Sequence, residues 1–424
     1  MEMVLDRKVS KAVSIIMNLM EKHGIKQVDL RNATGYSKSF FHNLLNESKH
    51  CKFPMVLNVV RTIDNMAGIS KEKTIMLEYI DTLTKPEYLV DAMDYCDRNN
   101  YLKALRTLTE RALSYKKNPQ LQEWGVLFNI NLQRKEEFNR ITKLKNNAIN
   151  GNIIDESKYI ELRNEVIKFN TTTNGTYIYK QLVLANIYDN MACFNDVYNT
   201  LAGVENYITS DIEAFSSESY YYRIHEMMQS YFSRNQCNFD EAEKHSDILI
   251  NSNFSLKFIA SGCIIMGESN MFRDPQKAIY NFEKAIEIYK QIGMDDVAIL
   301  MHGKIEVTRI YWGIEVAPDT IYHQQNKAYW LIKQNRNEEA LEILDLLNAK
   351  NNSEAFHKYL LGLATGDIMY LYMSLEIYIK RNGNRLFAML PRDALLSAGQ
   401  NEYAVNAIYY QEIYQEVKRT NEKN

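Results

Sequence analysis

The segment DPQKAIYNFEKAIEIYKQIG, from Asp274 to Gly293, constrains the fold more than any other stretch of the chain. Ala278, Phe282, Ala285 and Tyr289 recur at steps of four, three and four residues, which sets them along one face of an α-helix. Two of the four are alanines, too small to hold a neighbouring helix away, as in the second helix of a tetratricopeptide (TPR) pair. FDEAEKHSDILI from Phe239 and NEEALEILDLL from Asn337 repeat the pattern, with fainter copies at Tyr101 (YLKALRTL) and Phe194 (FNDVYNTL). Ala242 and Ala278 are 36 residues apart, close to the ~34-residue period of such pairs. Ala278 and Ala340 are 62 apart, so the array is degenerate. Only six Pro and 16 Gly interrupt 424 residues. The expected fold is all-α, a TPR-like solenoid in which stacked helix pairs leave a concave groove.

A chain of this length is too long for one ordinary domain. The reading is a helix-turn-helix over residues 1–70, a helical linker over 71–100 and the solenoid over 101–424. At 46% hydrophobic and 24% charged, the composition is that of a folded globular protein. The strongest apolar stretch, Phe258 to Met266, falls short of the ~20 residues that span a bilayer. No apolar run follows the N-terminal basic residues, so neither membrane insertion nor a secretory leader is expected and the cytoplasm is the predicted location. The five cysteines (Cys51, Cys96, Cys193, Cys237, Cys263) form no CxxC pair and read as reduced structural thiols. HEMMQ at His225 to Gln229 lacks the second histidine of a zinc-protease motif, and no P-loop, GxGxxG or nucleophile elbow is present. The chain is therefore read as a non-enzyme without cofactor or metal.

The N-terminal run GIKQVDLRNATGYSKSFFHNLL, Gly24 to Leu45, reads as helix, tight turn, helix. A first helix is predicted from Lys8 to His23, with Val13, Ile16 and Met20 inward, and Gly24 as its C-terminal stop. A second runs from Gln27 to Thr34 and is expected to bury Val28, Leu30 and Ala33. Gly35 supplies the turn, Tyr36 a wedge and Ser37 an N-cap. The third helix, Lys38 to Leu45, turns Phe41, Leu44 and Leu45 inward. Pro54 and Gly68 bracket one more helix, Met55 to Met66. Ser37, Lys38, Ser39, His42 and Asn43 are left to reach base edges in a major groove, with Asn43 suited to a bidentate pairing with adenine. Lys26, Gln27, Arg31, Lys49 and Lys52 suit phosphates. Residues 1–60 hold nine Lys/Arg against five Asp/Glu, a net +4, which leaves −7 on the remainder of a chain at −3. A basic head on an acidic body fits a module that faces double-stranded operator DNA.

In the solenoid, the first helix of each pair lines the groove. SESYYYRIHEMMQSYF (Ser217 to Phe232) offers Arg223, Met227 and Ser230 on one face. Met266 and Asn270 follow, then Lys304, Thr308 and Tyr311, and in the last two pairs Asn326 and Asp367. Polar groups at such positions can pair the backbone of an extended peptide; each also suits a solvated or locally satisfied role.

Four segments, FEKAIEIY at Phe282, EEALEILD at Glu338, YLLGLATGD ending at Asp367 and NRLFAMLP at Asn384 to Pro391, stand in an order and spacing that resemble the arbitrium receptors (AimR) of Bacillus phages. These are relatives of the peptide-sensing Rap, PlcR and Rgg regulators. The resemblance implies a homodimer joined partly through C-terminal helices, which binds an operator and activates a small regulator opposing lysogeny. A secreted peptide of about six residues, with an Arg near its C-terminal end, would enter the solenoid and end that activity. It also implies that Asp367 holds the peptide's Arg through a charge-assisted pair. Near Ser230 and Arg309 the chain departs from the asparagines of the family. The alternative is a Rap-like adaptor that binds a response regulator protein and ignores DNA.

Overall fold

The computed structural model describes residues 10–46, 51–83, 85–147, 157–209, 214–351, 355–381 and 383–411. Among these there are 22 α-helices and no strand. The first eight are α1 (Lys11–Lys22), α2 (Gln27–Thr34), α3 (Lys38–Leu45), α4 (Phe53–Ala67), α5 (Glu72–Thr82), α6 (Pro86–Arg98), α7 (Leu102–Ser114) and α8 (Pro119–Asn147). Next come α9 (Ser157–Lys168), α10 (Asn174–Asn190), α11 (Phe194–Leu201), α12 (Ala214–Ser230), α13 (Phe239–Ile250), α14 (Leu256–Asn270), α15 (Pro275–Gln291) and α16 (Asp295–Trp312). The series ends with α17 (Gln324–Lys333), α18 (Asn337–Asn351), α19 (Ala355–Thr365), α20 (Ile368–Glu376), α21 (Arg385–Ser397) and α22 (Glu402–Tyr409). π-helical turns, Tyr231–Gln236 and Ile377–Arg381, extend α12 and α20. The chain forms two compact units, one from Met1–Lys135, Asn170–Tyr177 and Thr209–Ser219, the other from Glu136–Phe169, Ile178–Ile208 and Tyr220–Asn424.

In the first unit the helix ends follow local chemistry. Ser10 caps α1, and at the other end Ile25 N–H returns to Met20 O with Gly24 in the left-handed region, a Schellman-type stop. Ala12, Val13, Ile16 and Met20 are buried. Pro54 starts α4 and left-handed Gly68 ends it. The buried Asp64 carboxylate accepts from the Lys71 and Glu72 N–H groups, both at 2.7 Å, and so satisfies the open donors at the start of α5. α5 packs on α1 and α4, and α6 on α4 and α7. On α6, Asp91, Asp94 and Asp97 stand at three-residue steps and are all buried. Ser216 Oγ donates to Asp91 at 3.0 Å, Arg98 Nε to Asp94 at 3.0 Å, and Asn131 Nδ2 and Lys135 Nζ to Asp97 at 2.8 Å each. Partners of this kind are what allow carboxylates to be buried at all.

In the second unit every helix from α13 to α21 packs on its successor, and α17, α19 and α21 form a further layer of contacts two apart. That is the nearest-neighbour stacking of a solenoid-like fold. Ala242, Ala278, Phe282, Ala285 and Ala340 are fully buried and Tyr289 nearly so. The 62-residue interval has a structural cause: α16 and α17 both stand between α15 and α18, with a single 3₁₀ turn (Pro318–Thr320) in the connection. One helix more than a regular pair has been inserted. α14 runs close to both of its neighbours. A Cβ at Gly262 would lie 2.8 Å from Ser246 O of α13, and one at Gly267 would lie 2.6 Å from the Phe282 ring of α15.

Candidate functional site

At the head, α2 and α3 are joined by Gly35, Tyr36 and Ser37. Gly35 takes φ +71°, and its N–H returns to Arg31 O. Ser37 Oγ accepts from Phe40 N–H at 3.2 Å and starts α3. The Tyr36 ring packs edge-on against Phe40, and its hydroxyl accepts from Asn58 Nδ2 at 3.1 Å, fixing the turn to α4. α3 is sharply two-faced. Phe40, Phe41, Leu44 and Leu45 are buried, whereas Ser37, Lys38, Ser39 and His42 are exposed and Asn43 is half-buried. The His42 ring meets Asn46 Nδ2 at 3.1 Å. Lys26, Gln27, Arg31 and Lys52 are also exposed, and Lys49 lies outside the described residues.

The expected core of α2 needs correction. Leu30 alone of its residues is buried; Val28 is 49% exposed and Ala33 is exposed. Val28 and Leu30 are two positions apart, about 200° around a helix, so they cannot share an inward face.

In the second unit a cavity of about 290 Å³ lies among α10, α11, α12 with its π-turn, and α14, near the lower end of ligand-site volumes. Asn186, Asp189, Glu226, Gln229, Ser230, Arg234, Asn235 and Ser261 supply its polar lining, and Phe194, Met227, Tyr231 and Ile264 part of its apolar one. Two of the ten sequence-derived groove residues, Met227 and Ser230, line this cavity. The rest are elsewhere. Arg223 is buried with its guanidinium 5.4 Å above the Tyr179 ring. Met266 is buried, and Asn270 Nδ2 donates to Met266 O and to Glu243 Oε1, bridging α14 and α13. Thr308 Oγ1 donates to Lys304 O within α16. Asn326 Nδ2 donates to Gly303 O and Glu306 Oε2. Tyr311 packs edge-on against Phe272. Met266, Asn270, Thr308 and Asn326 are thus buried supports, and the donors of the three polar ones are taken up within the chain. Asp367 is exposed and caps α20, its Oδ1 accepting from Met369 N–H at 2.9 Å.

Sequence reasoning missed the strongest electrostatic feature beside the cavity. Glu268 is 0% exposed on α14. Arg234 grips it with Nε at 2.7 Å and Nη2 at 2.8 Å, and Lys304 Nζ donates at 2.6 Å. Burial alone would raise its pKa, but the two cations and their bonds outweigh burial and hold it at about 2. A signal existed: Glu268 is the one acid in LKFIASGCIIMGESN, a helix otherwise charged only at Lys257, and an acid in so apolar a helix calls for buried cations. Arg234 keeps 38% of its side chain exposed. The Lys304 ammonium also sits 5.4 Å over the Phe387 ring.

Nearby, His225 Nδ1 and His245 Nδ1 are 2.6 Å apart. Burial, and for His225 the neighbouring His245, pushes both below the usual histidine range, His225 to about 4. The histidine of HEMMQ is therefore a core partner of another histidine. Among the described residues no three His, Cys, Asp or Glu side chains are grouped to hold a metal ion, and no helix is long and apolar enough to cross a membrane.

This chain is similar to the AimR transcriptional regulator of Bacillus phage phi3T, 24% identical over 405 residues that cover 93% of the chain and all of that relative. It is 22% identical to the AimR transcriptional regulator of Bacillus phage SPbeta, over 83% of the chain and 86% of the relative. Among solved structures, selenomethionine phAimR superposes with a TM-score of 0.72 at 22% identity, covering 94% of this chain and 100% of that one. A phAimR structure with ligand gives 0.60 at 21% identity, covering 80% and 96%. These matches support the all-α, solenoid-like fold. With residues 72–397 matching the family model described as AimR transcriptional regulator-like, a span reaching from α5 through the Glu268 cluster to α21, the chain belongs to that family.

Proposed function

We propose that the chain is a peptide-gated transcription regulator that binds operator DNA as a homodimer. The observation that carries the DNA reading is the two-faced α3, with four apolar residues buried while Ser37, Lys38, Ser39 and His42 face outward after a turn built on Gly35. A short helix fixed on its apolar side and polar on the other is what a major groove admits. Exposed Lys26, Gln27, Arg31 and Lys52 would contact phosphates, and half-buried Asn43 would reach a base only from the edge of that face. In this reading residues 1–70 are the DNA module, 71–100 link it, and 101–424 bind the peptide and dimerise.

The peptide would be a short one containing Arg, with part of its length in the cavity beside Arg234 and its Arg at Asp367. Met369, Met373, Tyr403 and Tyr410, exposed on and beside α20 and α22, supply apolar surface for a dimer through C-terminal helices. Peptide binding alters or abolishes DNA binding, and so biases a phage between lysis and lysogeny. The relatives named as transcriptional regulators and the ligand-bound phAimR support this assignment.

The experiment is fluorescence anisotropy with two-half-site duplexes selected from a random library, at 50 to 200 mM salt. The expected result is affinity falling steeply with salt and falling at least tenfold in Lys38→Ala/His42→Ala. Binding that is unchanged in that variant removes α3 as the reading helix.

A further inference from the structure

The π-helical turn Tyr231–Gln236 fastens α14 and the segment before α21 at once. Ser233 pairs with Ser269 at 3.0 Å, Arg234 with Glu268, and the buried Asn235 amide donates to Gly383 O, 148 residues away. Gly383 sits at φ +55° against the Phe194 ring, so closely that a Cβ there would collide with it. Just beyond Gly383, Phe387 of α21 packs on Phe272 and Tyr378. Tyr409 of α22 brings its hydroxyl within 3.6 Å of Cys237 Sγ, and Cys237 follows the turn at φ +51°. α21 and α22 are thus fastened to the end of α12 through contacts that no neighbour-to-neighbour stacking requires.

Three of these fastening residues, Phe194, Arg234 and Asn235, together with Tyr231 at the start of the turn, are also walls of the 290 Å³ cavity. A group that enters it and accepts from the Asn235 amide competes with Gly383 O for the orientation of that side chain. One that displaces the Phe194 ring removes the surface against which Gly383 rests. The turn itself is a rare geometry that often marks functional sites. Its return to i→i+4 bonding would re-aim Asn235 by roughly 100° around the helix.

We propose that Phe194, Asn235 and Gly383 form a latch through which an occupant of the cavity releases α21 and α22. The identity of that occupant as a short peptide rests on the function proposed above; the latch does not.

The test is amide hydrogen exchange by mass spectrometry on the full chain without peptide, so that failure of the latch and failure of the peptide reading remain distinguishable. Asn235→Asp keeps the side chain's shape but turns the donor into a second acceptor facing Gly383 O. Ser230→Trp fills the cavity from α12 and stands in for an occupant. Phe194→Leu trims the ring without adding charge. The expected result is exchange in α21 and α22 at least tenfold faster in Asn235→Asp and Ser230→Trp, and a few-fold faster in Phe194→Leu, with α6 and α15 unchanged. If α15 also accelerates in Asn235→Asp, that variant has lost its fold and the other two decide. Unaltered exchange of α21 and α22 in Phe194→Leu overturns the latch. Unaltered exchange in Ser230→Trp overturns its control by the cavity.

Discussion

Replacing Glu268 by Gln removes the carboxylate that bridges Arg234 and Lys304 while keeping nearly the same volume. The size of the effect follows from the titration. A carboxyl that falls from its usual 4.5 to about 2 on folding contributes about 3 kcal/mol at neutral pH, because each unit is worth about 1.4 kcal/mol. Breaking a buried pair by removing one partner costs about 3–5 kcal/mol. The stranded cations retain 38% and 22% side-chain exposure and can be partly hydrated, which places the loss near 3. The folded pKa is the lower one, so the stabilisation is present above about 4.5 and disappears as pH falls through about 2. In urea unfolding followed by circular dichroism, wild type should exceed Glu268→Gln by about 3 kcal/mol at pH 7. The gap should close toward zero near pH 2. A gap below about 1 kcal/mol at pH 7, or one that persists at pH 2, would refute the reasoning. Simultaneous replacement by Arg234→Met, Glu268→Leu and Lys304→Met should be near neutral, since it removes all three desolvated charges together.

Further outcomes follow from the same structure. Asp367→Asn keeps a side-chain acceptor for Met369 N–H and should leave the melting temperature unchanged, whereas Asp367→Ala should lose about 1 kcal/mol of capping. If Asp367 holds a cationic side chain, both variants weaken calorimetric binding of an Arg-containing peptide at least tenfold; loss in the Ala variant alone assigns the residue to capping. Asp64→Ala should destabilise the first unit by about 2 kcal/mol in thermal unfolding, because the Lys71 and Glu72 N–H groups lose their acceptor. Gly35→Ala should cost about 1 kcal/mol from its positive φ.

What could be read from the sequence was what short-range chemistry decides. Gly35, Ser37, Pro54 and Gly68 mark turns and caps through their own backbone preferences, and the structure puts each in that role. Ala278 and Ala285 announced a close helix contact because an alanine face has little else to do, and both are fully buried. The groove was harder. Met266, Asn270 and Thr308 stand at helical spacing just as lining residues would, but Thr308 bonds back to its own helix, and the Asn270 and Asn326 amides run to Glu243, Gly303 and Glu306, which sequence does not place nearby. The Glu268 cluster joins residues 34 and 36 positions apart, too far for any local pattern. Val28 misled because its apolarity was counted without its angle on the helix.

Gly262 and Gly267 carry a consequence for how the second unit can respond to a ligand. Helix α14 is pressed on one side to a carbonyl of α13 and on the other to the Phe282 ring of α15, and at both places it contributes no side chain of its own. Helices whose backbone lies against a neighbour's carbonyl or ring cannot slide without colliding, because protein interiors are already close-packed. The α13–α15 layer is therefore an anvil, and its amides should be among the slowest to exchange. Movement driven from the cavity has to be expressed on the other wall, in α11, the π-turn and the helices fastened to it.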